Sequence, residues 1–144
     1  MKVYIKKLNQ AAILPTFGSD AAAGADLYAL LEEKVTIAPG ETFLVPTGLS
    51  MELPRGFGGF IFARSGLATK RGLAPANKVG VIDADYRGEV MVSLYNQSGV
   101  PQTIENGERI AQLVILEVPQ VEFLETDALS DTVRGFGGFG STGN

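Results

Sequence analysis

The chain contains no cysteine and no histidine. Without cysteine it can form no disulfide and perform no thiolate chemistry. Without histidine it can build neither a Ser-His-Asp triad nor a Cys-His pair, and it offers no imidazole to a metal. Zinc, which prefers nitrogen and sulfur ligands, would have to be held by carboxylates alone. The chemistry that remains is that of carboxylate bases, lysine, tyrosine, backbone dipoles and hard cations bound by oxygen.

The sequence also lacks a basic run. Its 12 basic and 16 acidic residues give a net charge of −4 over 144 residues, a length that fits one domain. An acidic chain without a basic patch does not favour broad nucleic-acid binding. A small anionic substrate can still be bound if a few arginines converge and a metal helps.

Long apolar runs are absent as well, so no segment is expected to span a membrane. Residues 1–6 begin an alternating strand pattern and lack the apolar core of a signal peptide. We therefore expect a soluble protein of the cytoplasm, or of another intracellular site.

What the sequence does contain is a series of short β-rich runs separated by glycine, proline and asparagine, which predicts an all-β sandwich or jelly roll. One short helix is predicted at 65–70, with Ser65 as its N-cap. The predicted strands are 3–8, 25–30, 35–37, 42–45, 48–53, 59–64, 79–83, 89–96 and 110–118.

The last eleven residues differ in composition from the rest and read Arg-Gly-Phe-Gly-Gly-Phe-Gly-Ser-Thr-Gly-Asn. We divide the chain into a β domain, 1–133, and a glycine-rich tail, 134–144, that closes over the active site. The Gly-x-Gly-x-x-Gly pattern within the tail is not a dinucleotide fingerprint, because no crossover helix can follow it. Its dense backbone N–H groups can wrap oxyanions, and its Arg and Phe side chains can clamp an anion and stack on a base.

The first six letters of the tail also occur at 55–60. The earlier copy follows Pro54 and runs into apolar residues, which predicts a tight turn entering a strand. The later copy runs into polar residues and the chain end. We assign a functional role to the later copy only.

Arg64, Ser65 and Gly66 stand where a predicted strand gives way to the predicted helix. Backbone N–H groups, a hydroxyl and a guanidinium at such a junction can bind phosphate. The same residues are also compatible with a capped helix that carries a surface arginine.

The segment 77–89 predicts a buried strand that delivers Asp83 to its end, followed by a turn back into the next strand. This arrangement would be a β-hairpin with a carboxylate at its mouth, or an Asx-turn that only closes the hairpin. A planar base could pair with the hairpin backbone as another strand would, with Tyr86 walling the sugar.

Two further polar residues interrupt apolar strands. Asp26 lies within 25–30, although Asp is depleted in strands. Gln112 lies in the apolar run 107–115. Each is compatible with an ordinary structural role when it is considered alone.

Taken in order, five segments resemble the five motifs of the trimeric dUTPase family (deoxyuridine triphosphate nucleotidohydrolases). The resemblance implies a distorted jelly roll that assembles as a homotrimer, with three active sites at subunit interfaces. It also implies Mg²⁺-dependent hydrolysis of dUTP to dUMP and pyrophosphate, which keeps uracil out of DNA and supplies dUMP for dTMP synthesis. The segments are 23–29, 64–68, 80–88, 107–113 and 134–143.

The resemblance implies a role for each matching residue. Asp83 would orient and deprotonate the water that attacks the α-phosphorus, and would also meet the sugar 3′-hydroxyl. An ordinary aspartate carboxyl group is ionised at neutral pH and can therefore act as a base. Tyr86 would pack under deoxyribose and leave no room for a 2′-hydroxyl. Uracil would be read by Asn77 and by the backbone of Gly80, Val81 and Ile82.

The remaining implied roles concern the phosphates and the metal. Asp26 would reach Mg²⁺ through the water shell of the ion. Arg64, Ser65, Gly66 and Gln112 would hold phosphates. In the tail, Arg134 would clamp phosphate, Phe139 would stack on uracil, and Gly140, Ser141 and Thr142 would complete the substrate contacts.

Two alternatives remain open at this point. A dCTP deaminase shares the fold, but its chemistry needs a pocket base for the loss of the cytosine amine, and the tail with Arg134 and Phe139 favours the dUTPase interpretation. A trimeric nucleotide-binding protein that signals to a partner is disfavoured by the presence of Asp83. One departure from the family pattern is Lys78, where family members often carry a small residue.

Overall fold

The computed structural model describes residues 1–138, which form short strands and one short helix. Their bounds are β1 Tyr4–Lys7, β2 Thr16–Phe17, β3 Ala25–Tyr28, β4 Val35–Ile37, β5 Thr42–Pro46, β6 Leu49–Glu52, β7 Phe57–Phe62, α1 Ser65–Arg71, β8 Leu73–Pro75, β9 Gly80–Ile82, β10 Met91–Asn96, β11 Gln102–Ile104 and β12 Arg109–Glu117.

The strands form antiparallel sheets. The largest has five strands in the order β2-β3-β12-β7-β9, with the nine-residue strand β12 at its centre. A three-stranded sheet has the order β5-β10-β8, and two pairs, β1-β6 and β11-β4, complete the set within residues 1–138. The predicted all-β fold class is therefore confirmed.

The core follows from the period-2 pattern of these strands. In β10 every second residue is buried, namely Val92, Leu94 and Asn96, because alternate side chains of a strand point to opposite faces. Leu27 and Ile110 from the five-stranded sheet are also fully buried. The buried amide of Asn96 is satisfied, since its Nδ2 donates to the carbonyl oxygens of residues 37 and 100.

The predicted hairpin between 79–83 and 89–96 is wrong. Strand β9 pairs with β7 in the five-stranded sheet, whereas β10 pairs with β5 and β8 in another sheet. The prediction of a buried strand also fails, because β9 is an edge strand in which Ile82 is buried but Val81 is 64% exposed. The run of apolar residues in this segment did not reveal that only one face of β9 packs against the core.

The predicted helix is present, but its predicted cap is wrong. Arg64 occupies the N-cap position with an extended backbone, and no side chain caps the first turn. The helix ends at Gly72, whose left-handed φ of 65° lets its N–H donate to the carbonyl of Ala68. Leu67 anchors the helix in the core, as it must, because seven residues form too short a helix to be stable alone.

Three short strands were not predicted: β2, β8 and β11. Each has only two or three residues, which is too few for a periodic signal. The predicted turn at the earlier copy of the tail sequence is confirmed, because Gly56 has a φ of +84° and the N–H of Phe57 donates to the carbonyl of Pro54. Across residues 1–138, no helix has the length and apolarity needed to cross a membrane.

Gly48, in the turn between β5 and β6, supports a stability prediction. Its φ is +68°, and a Cβ there would lie 2.9 Å from the Cβ of Ala12 and closer still to Leu30. Gly48→Ala should lower the free energy of unfolding by about 2–5 kcal/mol, the sum of left-handed strain and overpacking. Urea denaturation measures the effect.

The matched control is Gly40→Ala, because Gly40 has a φ of +77° but open space around its Cα. This variant should lose only the backbone contribution, about 1–2 kcal/mol. Equal losses in the two variants would show that the contact with Ala12 and Leu30 contributes nothing.

Candidate active site

A cavity of about 290 Å³ lies beside β9, and we call it the β9 cavity. It gathers the residues of segment 77–86 that the sequence analysis assigned to the base and the sugar. Its lining consists of Leu44, Ile61, Asn77, Gly80, Val81, Ile82, Asp83, Tyr86, Glu89, Val90 and Met91.

The entry of the chain into β9 is set by an unusual turn. Lys78 has a φ of +66°, the left-handed conformation that non-glycine residues seldom adopt. The N–H of Lys78 donates to the carbonyl of Pro75, and the N–H of Val79 donates to that of Asn77. This turn places Asn77 at the cavity, just before the edge strand.

Asp83 follows the last residue of β9, at the rim of the cavity. Its carbonyl accepts the N–H of Tyr86 at 3.1 Å, so the chain turns immediately after the carboxylate. Its side chain is exposed and takes part in none of the four ion pairs formed within residues 1–138. An exposed carboxylate without a cationic partner can accept a proton from water.

Tyr86 and the segment after it are tied to β6. The hydroxyl of Tyr86 donates to the carbonyl of Glu89 at 3.0 Å. The carboxylate of Glu89 accepts the N–H of Gly48 at 2.7 Å, and the hydroxyl of Ser50 donates to the carbonyl of Arg87 at 2.7 Å. The Tyr86 ring is therefore fixed at its hydroxyl by Glu89, and the segment that follows it is fixed by Gly48 and Ser50.

A second group of predicted residues lies on or next to the central strands of the five-stranded sheet. It consists of Asp26, Arg64 and Gln112, and together with Arg109 we call it the Asp26 cluster. Asp26 of β3 is paired in register with Gln112 of β12. The carboxylate of Asp26 accepts Nε of Arg64 at 2.7 Å and Nη1 of Arg109 at 3.2 Å. Gln112 donates from Nε2 to the carbonyl of Ala63 at 2.8 Å, which fixes the chain just before Arg64.

Ser65 and Gly66 begin α1 beside this cluster. Both are exposed, and a Cβ at Gly66 would meet no atom within 4 Å. The other end of the helix is held by Arg71, which donates to the side chains of Gln102 and Glu108 and to the carbonyl of Thr103. Arg71 thereby links the helix to β11 and to the turn that leads into β12.

Sequence reasoning missed Arg71 and Arg109. Their ion-pair partners are far away in the sequence, so even the motif segment 107–113, which includes Arg109, gave no sign of the pair with Asp26. The available signal was the unpaired Asp26: a carboxylate within a mostly buried strand requires a cation. That requirement did not identify which arginine would meet it.

Asp83 and the Asp26 cluster lie apart within one chain, although the other end of the β9 cavity approaches the cluster, since Gly80 pairs with Ile61. Ile82 pairs with Gly59, whereas Gln112 pairs with Phe62, three residues further along β7. These rows are about 10 Å apart at the usual rise of a strand. Asp83 lies beyond the first row and Arg64 beyond the second, in opposite directions.

Within residues 1–138, the hydrogen bonds of the tail are local. Nε of Arg134 donates to the carbonyl of Gly137 at 2.9 Å, and Arg134 does not line the β9 cavity. The other predicted tail residues, Phe139, Gly140, Ser141 and Thr142, lie outside the described residues.

The carboxylates of the described residues fit a magnesium ion only if the ion keeps most of its own water or phosphate ligands. Residues 1–138 contain no cluster of three or more Asp, Glu, His or Cys side chains that could hold a metal. Both carboxylate oxygens of Asp26 already accept arginine N–H groups. The site therefore suits an ion that brings its own water shell and phosphate ligands, which is how Mg²⁺ usually binds.

Comparison with known proteins decides the family, because residues 10–143 match the dUTPase family model. The chain belongs to the dUTPase family. It is 53% identical over 141 residues to the deoxyuridine 5′-triphosphate nucleotidohydrolase of Desulfitobacterium hafniense (strain DSM 10664 / DCB-2), which covers 97% of this chain and 93% of that protein. The enzyme of the same name from Nautilia profundicola is 51% identical over 143 residues, 99% of each chain.

Solved structures agree with this assignment. The dUTPase of Staphylococcus bacteriophage 80alpha, determined with dUPNHPP, superposes with a TM-score of 0.90 at 27% identity and covers 99% of each chain. The predictions of a dUTPase fold and of a hydrolase of nucleotide metabolism, a dUTP diphosphatase, are therefore confirmed.

Proposed function

We propose that this dUTPase cleaves dUTP to dUMP and pyrophosphate by attack of an Asp83-activated water on the α-phosphorus. The observation that carries the proposal is the β9 cavity, where Asp83 stands at the rim beside Asn77 and Tyr86. A carboxylate base, an amide and an aromatic wall then surround one small space. This combination suits a nucleotide whose nucleoside part fills the cavity and whose α-phosphate lies next to the carboxylate of Asp83.

Uracil would be read by the edge of β9. An edge strand presents N–H and C=O groups that a planar ligand can use as another strand would. Gly80, Val81 and Ile82 supply those groups, and the side chain of Asn77 supplies an amide beside them. The dUTPase of phage 80alpha, solved with the nucleotide dUPNHPP, supports a nucleotide as the ligand.

Asp83 would remove a proton from the water molecule while the oxygen of that water forms a bond to the α-phosphorus. The bond from that phosphorus to the oxygen bridging to the β-phosphate breaks, and the electron pair leaves with pyrophosphate. Asp83 then returns its proton to solvent. Since its carboxylate is exposed and lacks a cationic partner within residues 1–138, it is free for this role.

The phosphates would be held by the Asp26 cluster. Arg64 and Gln112 lie there together, and Ser65 and Gly66 stand exposed at the start of α1. Mg²⁺ bound to the triphosphate would supply charge neutralisation, which a chain of net charge −4 needs. Asp26 would meet the water shell of the ion, because its oxygens are already engaged by arginines.

A second copy of the chain would supply part of each site, since Asp83 and Arg64 follow opposite ends of the paired strands β9 and β7 within a single copy. We therefore propose a homotrimer with shared sites, which is a closed cyclic assembly. The segment after β12 supports contacts between copies: Phe123, Leu124 and Leu129 are 93%, 76% and 87% exposed. Large exposed apolar side chains of this kind mark interaction surfaces.

The tail, 134–144, would close over the bound nucleotide. Arg134 would clamp phosphate, and Phe139, Gly140, Ser141 and Thr142 would complete the enclosure. A lid that carries a cation and a ring excludes water from all but the reacting position. The substrate is a DNA precursor, so we place the enzyme inside the cell, in the cytoplasm. There it would keep uracil out of DNA and supply dUMP for dTMP synthesis.

A panel of nucleotides tests the proposed reaction. The purified protein is incubated with Mg²⁺ and dUTP, dCTP, dTTP or UTP, and pyrophosphate and ammonia are assayed. We expect pyrophosphate from dUTP alone. Ammonia from dCTP would assign the protein to the deaminase branch instead, and no product from any nucleotide would contradict an enzymatic role.

Asp83→Asn tests the base. The amide keeps the shape of the side chain but cannot accept the proton, so turnover should fall by about 10²–10⁴-fold. Binding of a non-hydrolysable dUTP analogue, followed by calorimetry, should stay close to that of the wild type. Turnover equal to that of the wild type would remove Asp83 from the mechanism.

Deletion of residues 134–144 tests the tail. The truncated chain should remain a folded trimer by sedimentation and circular dichroism, because Arg134 contacts only its own segment in the described structure. Its kcat/KM for dUTP should fall steeply because the lid is gone. A truncated chain that fails to fold would show that the tail is part of the scaffold.

A further inference from the structure

We propose that Gly88 is a positioning residue for the selectivity between deoxyribose and ribose, because it provides the surface on which the Tyr86 ring lies. The inference rests on the proposed role of Tyr86 as the wall of the sugar pocket. It extends that role to a residue that does not itself line the β9 cavity.

The contact between Gly88 and Tyr86 leaves no room for a side chain. A Cβ at Gly88 would lie 2.5 Å from Cζ and 2.8 Å from Cε2 of Tyr86, and closer still to the hydroxyl oxygen. Dispersion contacts between carbon atoms are optimal near 3.5–4.0 Å, so these separations are strongly repulsive. The atoms belong to one rigid ring, which can only move as a whole.

The backbone of Gly88 does not itself require glycine. Its φ lies outside the left-handed region, in contrast to that of Gly48 or Gly107. Alanine would therefore fit the local conformation. The three atoms nearest to an added Cβ all belong to Tyr86, so the need for glycine at this position comes from that side chain.

The carbonyl of Arg87 and the N–H of Val90, on either side of Gly88, are held by hydrogen bonds, so the backbone resists moving away from an added methyl group. Ser50 donates to the carbonyl of Arg87 at 2.7 Å, and the carboxylate of Glu89 accepts the N–H of Gly48 at 2.7 Å. The N–H of Val90 donates to the carbonyl of Leu49 at 2.7 Å. A methyl group at residue 88 is relieved most easily by displacement of the Tyr86 ring.

Displacement of the ring changes the β9 cavity. The hydroxyl of Tyr86 would lose its hydrogen bond to the carbonyl of Glu89, which fixes the tip of the ring. The ring lines the cavity together with Asn77 and Asp83. The Tyr86 ring would exclude a 2′-hydroxyl by occupying the space that this group needs. A displaced ring would therefore select deoxyribose over ribose less well.

The experiment measures kcat/KM for dUTP and for UTP, by pyrophosphate release with Mg²⁺, in the full-length protein and its variants. The test variants are Gly88→Ala, Tyr86→Ala and the double variant. The matched control is Gly99→Ala, because a Cβ at Gly99 meets nothing within 4 Å and its φ is also outside the left-handed region. We expect the control to keep the wild-type ratio of dUTP to UTP.

Gly88→Ala should lower that ratio by about tenfold or more, as misplacement of a substrate-positioning group by an ångström does. The double variant should be no less selective than Tyr86→Ala alone, because residues that act through one another are not additive. A general loss of folding would lower both kcat/KM values together and would not reproduce this pattern.

Four outcomes of the kinetic measurements would overturn the inference. An unchanged ratio in Gly88→Ala, with a lowered ratio in Tyr86→Ala, removes Gly88 and leaves the sugar wall in place. An unchanged ratio in Tyr86→Ala removes both residues. Additive effects in the double variant show that Gly88 acts independently of the ring. A wild-type protein that does not cleave dUTP overturns the proposed function itself.

A Gly88→Ala chain that does not fold still gives a decision. Removal of the ring in the double variant should then restore folding, measured by circular dichroism, because the clash is gone. A double variant that also fails to fold shows that residue 88 must be glycine for another reason, which contradicts the inference.

Discussion

The pairing of β12 with β3 on one side and β7 on the other is the constraint on which the arrangement of the site depends. It places Asp26, Gln112 and Phe62 in one row across three strands. Because side chains alternate between the faces of a sheet, a slip of one residue would send Gln112 to the opposite face. The buried Ala111 and Leu113 flank Gln112 and share the other face of the strand, so such a slip would carry them out of the core.

In the proposed function, the Asp26 cluster is the place where an acidic chain would receive a polyanion. Asp26 is only 14% exposed in its side chain, so its charge requires compensation, and two arginines provide it. The carboxylate in turn keeps the guanidinium of Arg64 in a fixed orientation before any ligand arrives. A prepared cation loses less conformational entropy when it binds phosphate than a freely rotating one.

The grouping of residues that are close in the sequence was predictable, and long-range strand pairing was not. The five motif segments and the residues of the β9 cavity stand out in short stretches of sequence. The hairpin prediction failed because β9 pairs with β7, some twenty residues earlier, rather than with the strand that follows it. The N-cap prediction failed because Arg64, not Ser65, holds that position, and Arg71 and Arg109 were missed because their partners lie far along the chain.

The shortness of β9 has a consequence for the behaviour of the protein in a crowded solution. An unpaired strand edge invites pairing with any other chain, which is a route to aggregation. In the part of the chain that the structure describes, β9 has only three residues and ends at the turn after Asp83. Three residues offer enough hydrogen-bonding groups for a flat heterocycle but too few to start a growing sheet. In the proposed function, the edge would be long enough for its ligand and too short to pair with another chain, so recognition and solubility would impose the same limit on its length.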